Sequence, residues 1–179
     1  MGGTLSLFAA AHEPSRVKAL GLFDPVILAQ RLGVAVAPQE SGLVAGAARR
    51  RRALPSRAEA VENYRGRGAF ANWSEAMLVD YVEDGFRDLE DGTVTLACTP
   101  EWEVSNYRSQ AHDAWAAFGA SRCPIRILRA EIASTCNVDA QIDDLTADGR
   151  ITIETVPGTT HFLPMERPDL VRETLLSLL

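Results

Sequence analysis

The segment PGTTHFLPMERPDLV carries the side chain best suited to moving a proton, His161. It follows a strand-like run and a Pro157-Gly158 turn, and Pro168-Asp169 starts a helix just after it. A histidine on such a loop, beyond the C-terminal edge of a parallel sheet, stands where open α/β folds place their ligands. An imidazole there can take a proton as general base and return it as general acid. The plain alternative is a loop histidine with no task. Cys136, in the loop STCNVD, reads either as a reduced, buried thiol or as a nucleophile. Arg49 to Arg52 form a basic run that reads either as a solvated face or as an anion-binding patch.

The elements that must position these groups alternate in type. Thr4 to His12 (TLSLFAAAH) is apolar nearly all round, which predicts a buried helix stopped at Glu13-Pro14. VKALGLFDP, CPIRILRAE and RITIETVPG are near-continuous apolar runs, the pattern of parallel strands covered on both faces. The first of these ends at Asp24-Pro25 and the second at Glu131. Val138 to Leu145 has helical spacing, and ERPDLVRETLLSLL predicts an amphipathic closing helix with Leu170, Val171, Leu175, Leu176 and Leu178 on one side. Strand, helix, strand, helix implies parallel strands joined by right-handed crossovers, hence an α/β class.

The middle differs. Candidate helices run over Ser56 to Tyr64, Ser74 to Phe86 and around Asn106 to Phe118, with turns at Gly66, Gly68, Asp91-Gly92 and Pro100. This predicts a helical insertion over residues 29–120 between core segments 1–28 and 121–179. Trp73, Trp102 and Trp115, with Tyr64, Tyr107 and Phe70, are expected to pack it, some of them lining an apolar pocket.

Composition narrows the function classes. An apolar share of 46% with 23% charged residues is that of a soluble globular protein. The net charge of -6 argues against nucleic acid as main partner. No apolar stretch reaches the length of a membrane span, and Met1 leads into glycines with no basic segment, so a cytoplasmic location is expected. The three cysteines lack metal-ligand spacing, and no metal is expected.

In that order of elements the sequence resembles an α/β-hydrolase lacking its front half. Members of that family present a nucleophile on a Gly-x-Ser-x-Gly turn between a strand and a helix. The common form Gly-His-Ser-Met-Gly-Gly would run directly into Met1-Gly2-Gly3. The helix TLSLFAAAHEPSRV, the strand ALGLFDPVI, the insertion, the strand PIRILRAE and the His161 loop follow in the family's order over the whole chain. The stretches ARRRRALPSRAEAVENYRGRGAF and VDYVEDGFRDLEDGTVTLACTPEWEV are similar to the cap of one bacterial subgroup.

The resemblance implies roles. Gly2 would let the chain turn sharply, Gly3 would allow close helix–strand packing, and the Met1 nitrogen would stand in the oxyanion hole. The family's usual acid position matches Ala133, within Ala130-Glu131-Ile132-Ala133, so the acid is expected at Asp24 instead, with Glu131 as the alternative. A small apolar ester-like molecule would be the substrate, with no cofactor and no nucleic-acid or membrane partner. Relatives with an aspartate nucleophile cleave epoxides or carbon–halogen bonds, and a non-catalytic binding module is a further alternative. Without a nucleophile the chain is expected to be inactive. ALGLFDP without its neighbour would be an unpaired apolar edge through which chains could associate.

Overall fold

The computed structural model describes residues 1–29, 42–109 and 113–179. Along the chain these form α1 (Gly2–His12), β1 (Leu20–Phe23), α2 (Gly42–Ala48), β2 (Ala53–Leu54), α3 (Arg57–Tyr64) and α4 (Glu75–Gly85). There follow β3 (Phe86–Asp88), β4 (Val94–Leu96), α5 (Pro100–Arg108), α6 (Ala114–Ala120) and β5 (Ile125–Ala130). The chain closes with α7 (Ile142–Thr146), β6 (Ile151–Val156), α8 (Leu163–Glu166) and α9 (Pro168–Leu176). They group into two compact units, one from described residues 1–29 and 113–179, the other from 42–109.

The first unit is α/β. Its sheet has the order β1-β5-β6 with every pair parallel, Leu22 facing Ile127 and Ile127 facing Ile153. The central strand β5 is covered on both faces, with Ile125, Ile127, Leu128 and Ala130 buried, whereas β6 keeps Thr152, Glu154 and Thr155 exposed, so its apolar run is interrupted. On one face Leu22, Ile125, Ile127 and Ile151 pack with Leu7 and Ala10 of α1 and with Ala114, Ala117 and Phe118 of α6. On the other, Leu128 and Val156 pack with Leu163, Leu170, Val171 and Phe23. Because the strands are parallel, their C-terminal ends share one rim, from which the loops bearing Asp24, Ser134-Thr135 and His161 all leave.

Three expectations need correction here. Only Thr4, Leu7 and Ala10 of α1 are buried, whereas Leu5 is 62% exposed. The described residues cover a single face of this helix, so apolar composition all round does not bring burial all round. Likewise Leu175 and Leu176 of α9 are exposed, although the ends of Leu175 and Leu178 lie against Gly21 of β1. Nor does α6 fall in the insertion, where the sequence reading sets it: its Ala114, Ala117 and Phe118 belong to the sheet's core.

The second unit is built from helices and a small antiparallel sheet in the order β2-β4-β3, around Leu54, Ala60, Leu78, Val82, Phe86, Val94 and Leu96. Its helix starts follow capping chemistry. Ser56 Oγ accepts from the Glu59 amide at 3.1 Å, and Ser74 Oγ from the Met77 amide at 3.3 Å. Pro100 begins α5 at a position where no amide donor is needed, with Thr99 as its cap. The expected helix around Asn106 to Phe118 is the end of α5 and the start of α6, and residues 110–112 between them lie outside the described residues. Among the described residues no helix is long and apolar enough to cross a membrane.

Phe118→Ala should lower the free energy of unfolding, followed by urea titration, by about 3–5 kcal/mol. Leu89→Ala, at an exposed site of the other unit, should change it by less than about 0.5 kcal/mol. A Phe118→Ala variant as stable as the parent would contradict the packing of α6 against α1.

Candidate active site

Asp24 is the residue at which β1 leaves the sheet. Its amide still donates to the Leu128 carbonyl at 2.7 Å, completing the ladder, but its φ of 41° is left-handed. An L-residue other than glycine pays for that conformation with about 1–2 kcal/mol, and Ala133, at φ 49°, does the same in the loop after β5. The two turns bring Asp24 face to face with Ser134 and Thr135.

The carboxylate of Asp24 has no solvent exposure and is ringed by donors. Oδ1 accepts from the Ala130 amide at 2.9 Å and from the Ser134 hydroxyl. Oδ2 accepts from the Thr135 amide at 3.0 Å and faces His161 Nδ1 at 2.8 Å and Thr135 Oγ1 at 3.0 Å. Burial by itself would raise the carboxyl pKa. The bonds from His161, Ser134 and the Thr135 and Ala130 amides outweigh it and hold the group well below the usual carboxylate range.

An ionised Asp24 fixes the direction of the remaining bonds. A carboxylate only accepts, so Nδ1 must carry a proton, and in the neutral imidazole the lone pair is then on Nε2. Among the described residues no group hydrogen-bonds Nε2, and the His161 side chain is 36% exposed. His161 is therefore held through Nδ1, with Nε2 left without a hydrogen-bond partner among the described residues. Its loop is braced from two sides. Glu131 Oε2 accepts from the Gly158 amide at 2.8 Å, and Glu166 accepts from the Thr160 amide at 2.8 Å and the Thr160 hydroxyl at 2.7 Å. Phe162 stands edge-on to the imidazole at 5.7 Å.

Met1, Gly2, Gly3, Asp24 and His161 line one cleft of about 390 Å³, with Ser6, Gly21, Phe23, Pro25, Phe162, Pro164 and Met165. Met1 caps α1 and its carbonyl accepts from the Leu5 amide at 3.0 Å. A Cβ on Gly3 would come within 3.3 Å of Pro25 Cβ, tighter than ordinary van der Waals contact, so a glycine suits the close approach of α1 to the end of β1. Gly2 differs from its expected part: it already lies inside α1 and a Cβ there would meet nothing within 4 Å. The alternative acid, Glu131, reaches Gly158 rather than the imidazole and serves as a loop brace.

Two further sequence candidates take other parts. Cys136 is buried, and burial first, then the nearby Asp24 charge, pushes its thiol up to about 12, so it is no nucleophile at neutral pH. In the basic run, Arg50 pairs with Glu103 at 2.8 Å, Arg51 with Glu59 at 3.7 Å, and Arg52 with Glu101. Three of the four charges are thus answered within their own unit, which leaves the anion-binding reading of the run unsupported. Ser134 and Thr135 are site residues that the sequence does not single out. Their only trace in the sequence is a Ser-Thr pair just past a strand end. Among the described residues no cluster of three or more His, Cys, Asp or Glu side chains could hold a metal ion.

No protein-family profile matches the sequence. No curated protein matches it either. Solved structures do. A peroxisomal α/β-hydrolase of Saccharomyces cerevisiae superposes with a TM-score of 0.72 at 17% identity, over 96% of this chain and 48% of its own. E-2-(acetamidomethylene)succinate hydrolase gives 0.70 at 18%, over 97% of this chain and 61% of its own. A thioesterase domain from the curacin biosynthetic pathway gives 0.67 at 12%, over 98% and 63%. The chain thus spans between about half and two thirds of each of these proteins. Likeness at such identities is a likeness of fold, and the fold is that of the α/β-hydrolases.

Two outcomes follow from the geometry. Because the folded-state pKa of Asp24 lies below its unfolded value of about 3.9, the stability it contributes is complete above that value and drains away as pH falls below it. Urea midpoints of the parent and of Asp24→Asn should therefore lie apart at pH 6 and converge toward pH 2; a gap that stays constant would contradict the cage. With a thiol reagent at pH 8, the exposed Cys98 should react in the native chain, and Cys123 and Cys136 only after unfolding.

Proposed function

We propose that this chain is the rear part of an α/β-fold hydrolase acting on a small apolar ester-like substrate, with His161 as general base and acid and Asp24 as the group that orients it. The observation that carries the reading is the 2.8 Å contact between His161 Nδ1 and the buried Asp24 carboxylate, in a cleft that also contains Met1, Gly2 and Gly3. The nucleophile is assigned to the residue that would precede Met1 in a longer polypeptide. From there its hydroxyl would meet His161 Nε2, and the Met1 amide would face the developing oxyanion at the start of α1. The segment bearing it would pair in parallel with β1, whose far edge has no strand partner among the described residues.

In this reading His161 takes the proton of the attacking hydroxyl on Nε2 and gives it to the leaving alkoxide. Asp24 meanwhile stays ionised, and its charge stabilises the imidazolium at Nδ1. Hydrolase-fold neighbours that include an esterase and a thioesterase domain are in keeping with acyl transfer.

The test is reconstitution. The 179-residue chain alone should not hydrolyse p-nitrophenyl acetate or butyrate above background. Joined to the in-frame upstream sequence ending in Gly-x-Ser, it should. In the joined protein His161→Ala should reduce kcat by about 10⁴- to 10⁶-fold, the scale of losing one triad member. An upstream sequence with no nucleophile, or a joined protein indifferent to His161→Ala, would sink the proposal.

A further inference from the structure

Five donors converge on the Asp24 carboxylate: the amides of Ala130 and Thr135, the hydroxyls of Ser134 and Thr135, and His161 Nδ1–H. A carboxylate offers about four lone-pair sites. One donor is surplus. The Thr135 hydroxyl is the one with somewhere else to go, since the main-chain carbonyl of Asp24 lies 3.1 Å from Oγ1. The same oxygen is 2.9 Å from His161 Nδ1. It cannot donate to that nitrogen, which already carries the proton demanded by the ionised carboxylate, so it must accept.

We propose that Thr135 is a positioning residue for the Asp24–His161 pair: its hydroxyl donates to the Asp24 carbonyl and accepts a share of the Nδ1–H bond, giving the imidazole two anchors in place of one. The inference rests on the reading of that pair given above. A single acceptor leaves an imidazole free to swing about the Nδ1–H···O axis. Two acceptors on different elements, Asp24 at the end of β1 and Thr135 in the loop after β5, define a plane. The plane is itself fixed, because the Thr135 amide is bound to Oδ2 at 3.0 Å and the Ser134 hydroxyl accepts from the Cys136 amide at 3.1 Å while donating to Oδ1. Thr135 is thereby tied to Asp24 through main chain and side chain alike. What the hydroxyl adds beyond the amide is the contact with the ring.

The contribution can be separated from a merely structural one without measuring turnover. The full chain, labelled with ¹⁵N at histidine, is prepared as parent, Thr135→Ser, Thr135→Val, Thr135→Ala and Asp24→Asn, with His161→Gln assigning the resonance. Long-range ¹H–¹⁵N correlation gives the tautomer, and saturation transfer from water gives the exchange rate of the Nδ1 proton. Parent and Thr135→Ser should be Nδ1-protonated with a slowly exchanging proton. Thr135→Val keeps the amide bond to Asp24 but should exchange about five- to tenfold faster, the scale of one lost neutral hydrogen bond. If valine unfolds the chain, Thr135→Ala carries the comparison. Folded valine and alanine variants that exchange at the parent rate, with Asp24→Asn alone losing protection, would overturn the role of Thr135 and leave the pair standing. A parent protonated at Nε2 and unchanged by Asp24→Asn would overturn the pair as well.

Discussion

A carboxylate sealed from water must find donors for its oxygens or be driven to its neutral form. Asp24 meets that demand entirely from its surroundings, and most of the first unit can be read as the means of supplying them. β5 brings the Ala130 amide, the loop after it brings Ser134 and Thr135, and the loop after β6 brings His161. Each arrives at the same rim because the three strands run parallel and in register. An antiparallel arrangement would send neighbouring loops to opposite ends, and the donors could not meet.

The charge then determines what its partners can do. With Asp24 ionised, His161 is fixed in the tautomer that leaves Nε2 ready to accept a proton. The backbone accepts left-handed turns at Asp24 and Ala133 to make the encounter, a cost of about 1–2 kcal/mol at each. Such conformations persist only where surrounding bonds over-determine them, and the donors around Asp24 do so. The bracing of the His161 loop by Glu131 and Glu166 belongs to the same design. Neither carboxylate touches the imidazole, yet each ties down an amide within five residues of it in sequence. Glu131 is a good example of a residue whose type suggests proton chemistry and whose position gives it a supporting part.

How much of this could be read from the residues follows from the range of each interaction. The three parallel strands announce themselves because their buried positions cluster β-branched and leucine residues, most fully in the central β5, and the caps at Ser56 and Ser74 because capping acts over three residues. The sheet of the second unit does not: β2, β3 and β4 are two or three residues each, too short for alternation to register. Asp24 and His161 stand 137 residues apart, and only the likeness of element order to the α/β-hydrolases brought them together in advance. Ser134 and Thr135 share the loop STCNVD with Cys136, and nothing in that sequence marks the two hydroxyls as partners of a carboxylate 110 and 111 residues away. The exposed side of α1 escaped for a related reason, since apolar composition states what a surface would tolerate and not what covers it.

The central claim, that a desolvated and ionised Asp24 holds His161 through Nδ1, is tested most directly by a neutron crystal structure of the deuterated chain near neutral pH. The account predicts a deuteron on His161 Nδ1 pointing between Asp24 Oδ2 and Thr135 Oγ1, none on Nε2, and none on either Asp24 oxygen. A deuteron on the carboxyl group, or an imidazole turned away from Asp24 and protonated at Nε2, would contradict it.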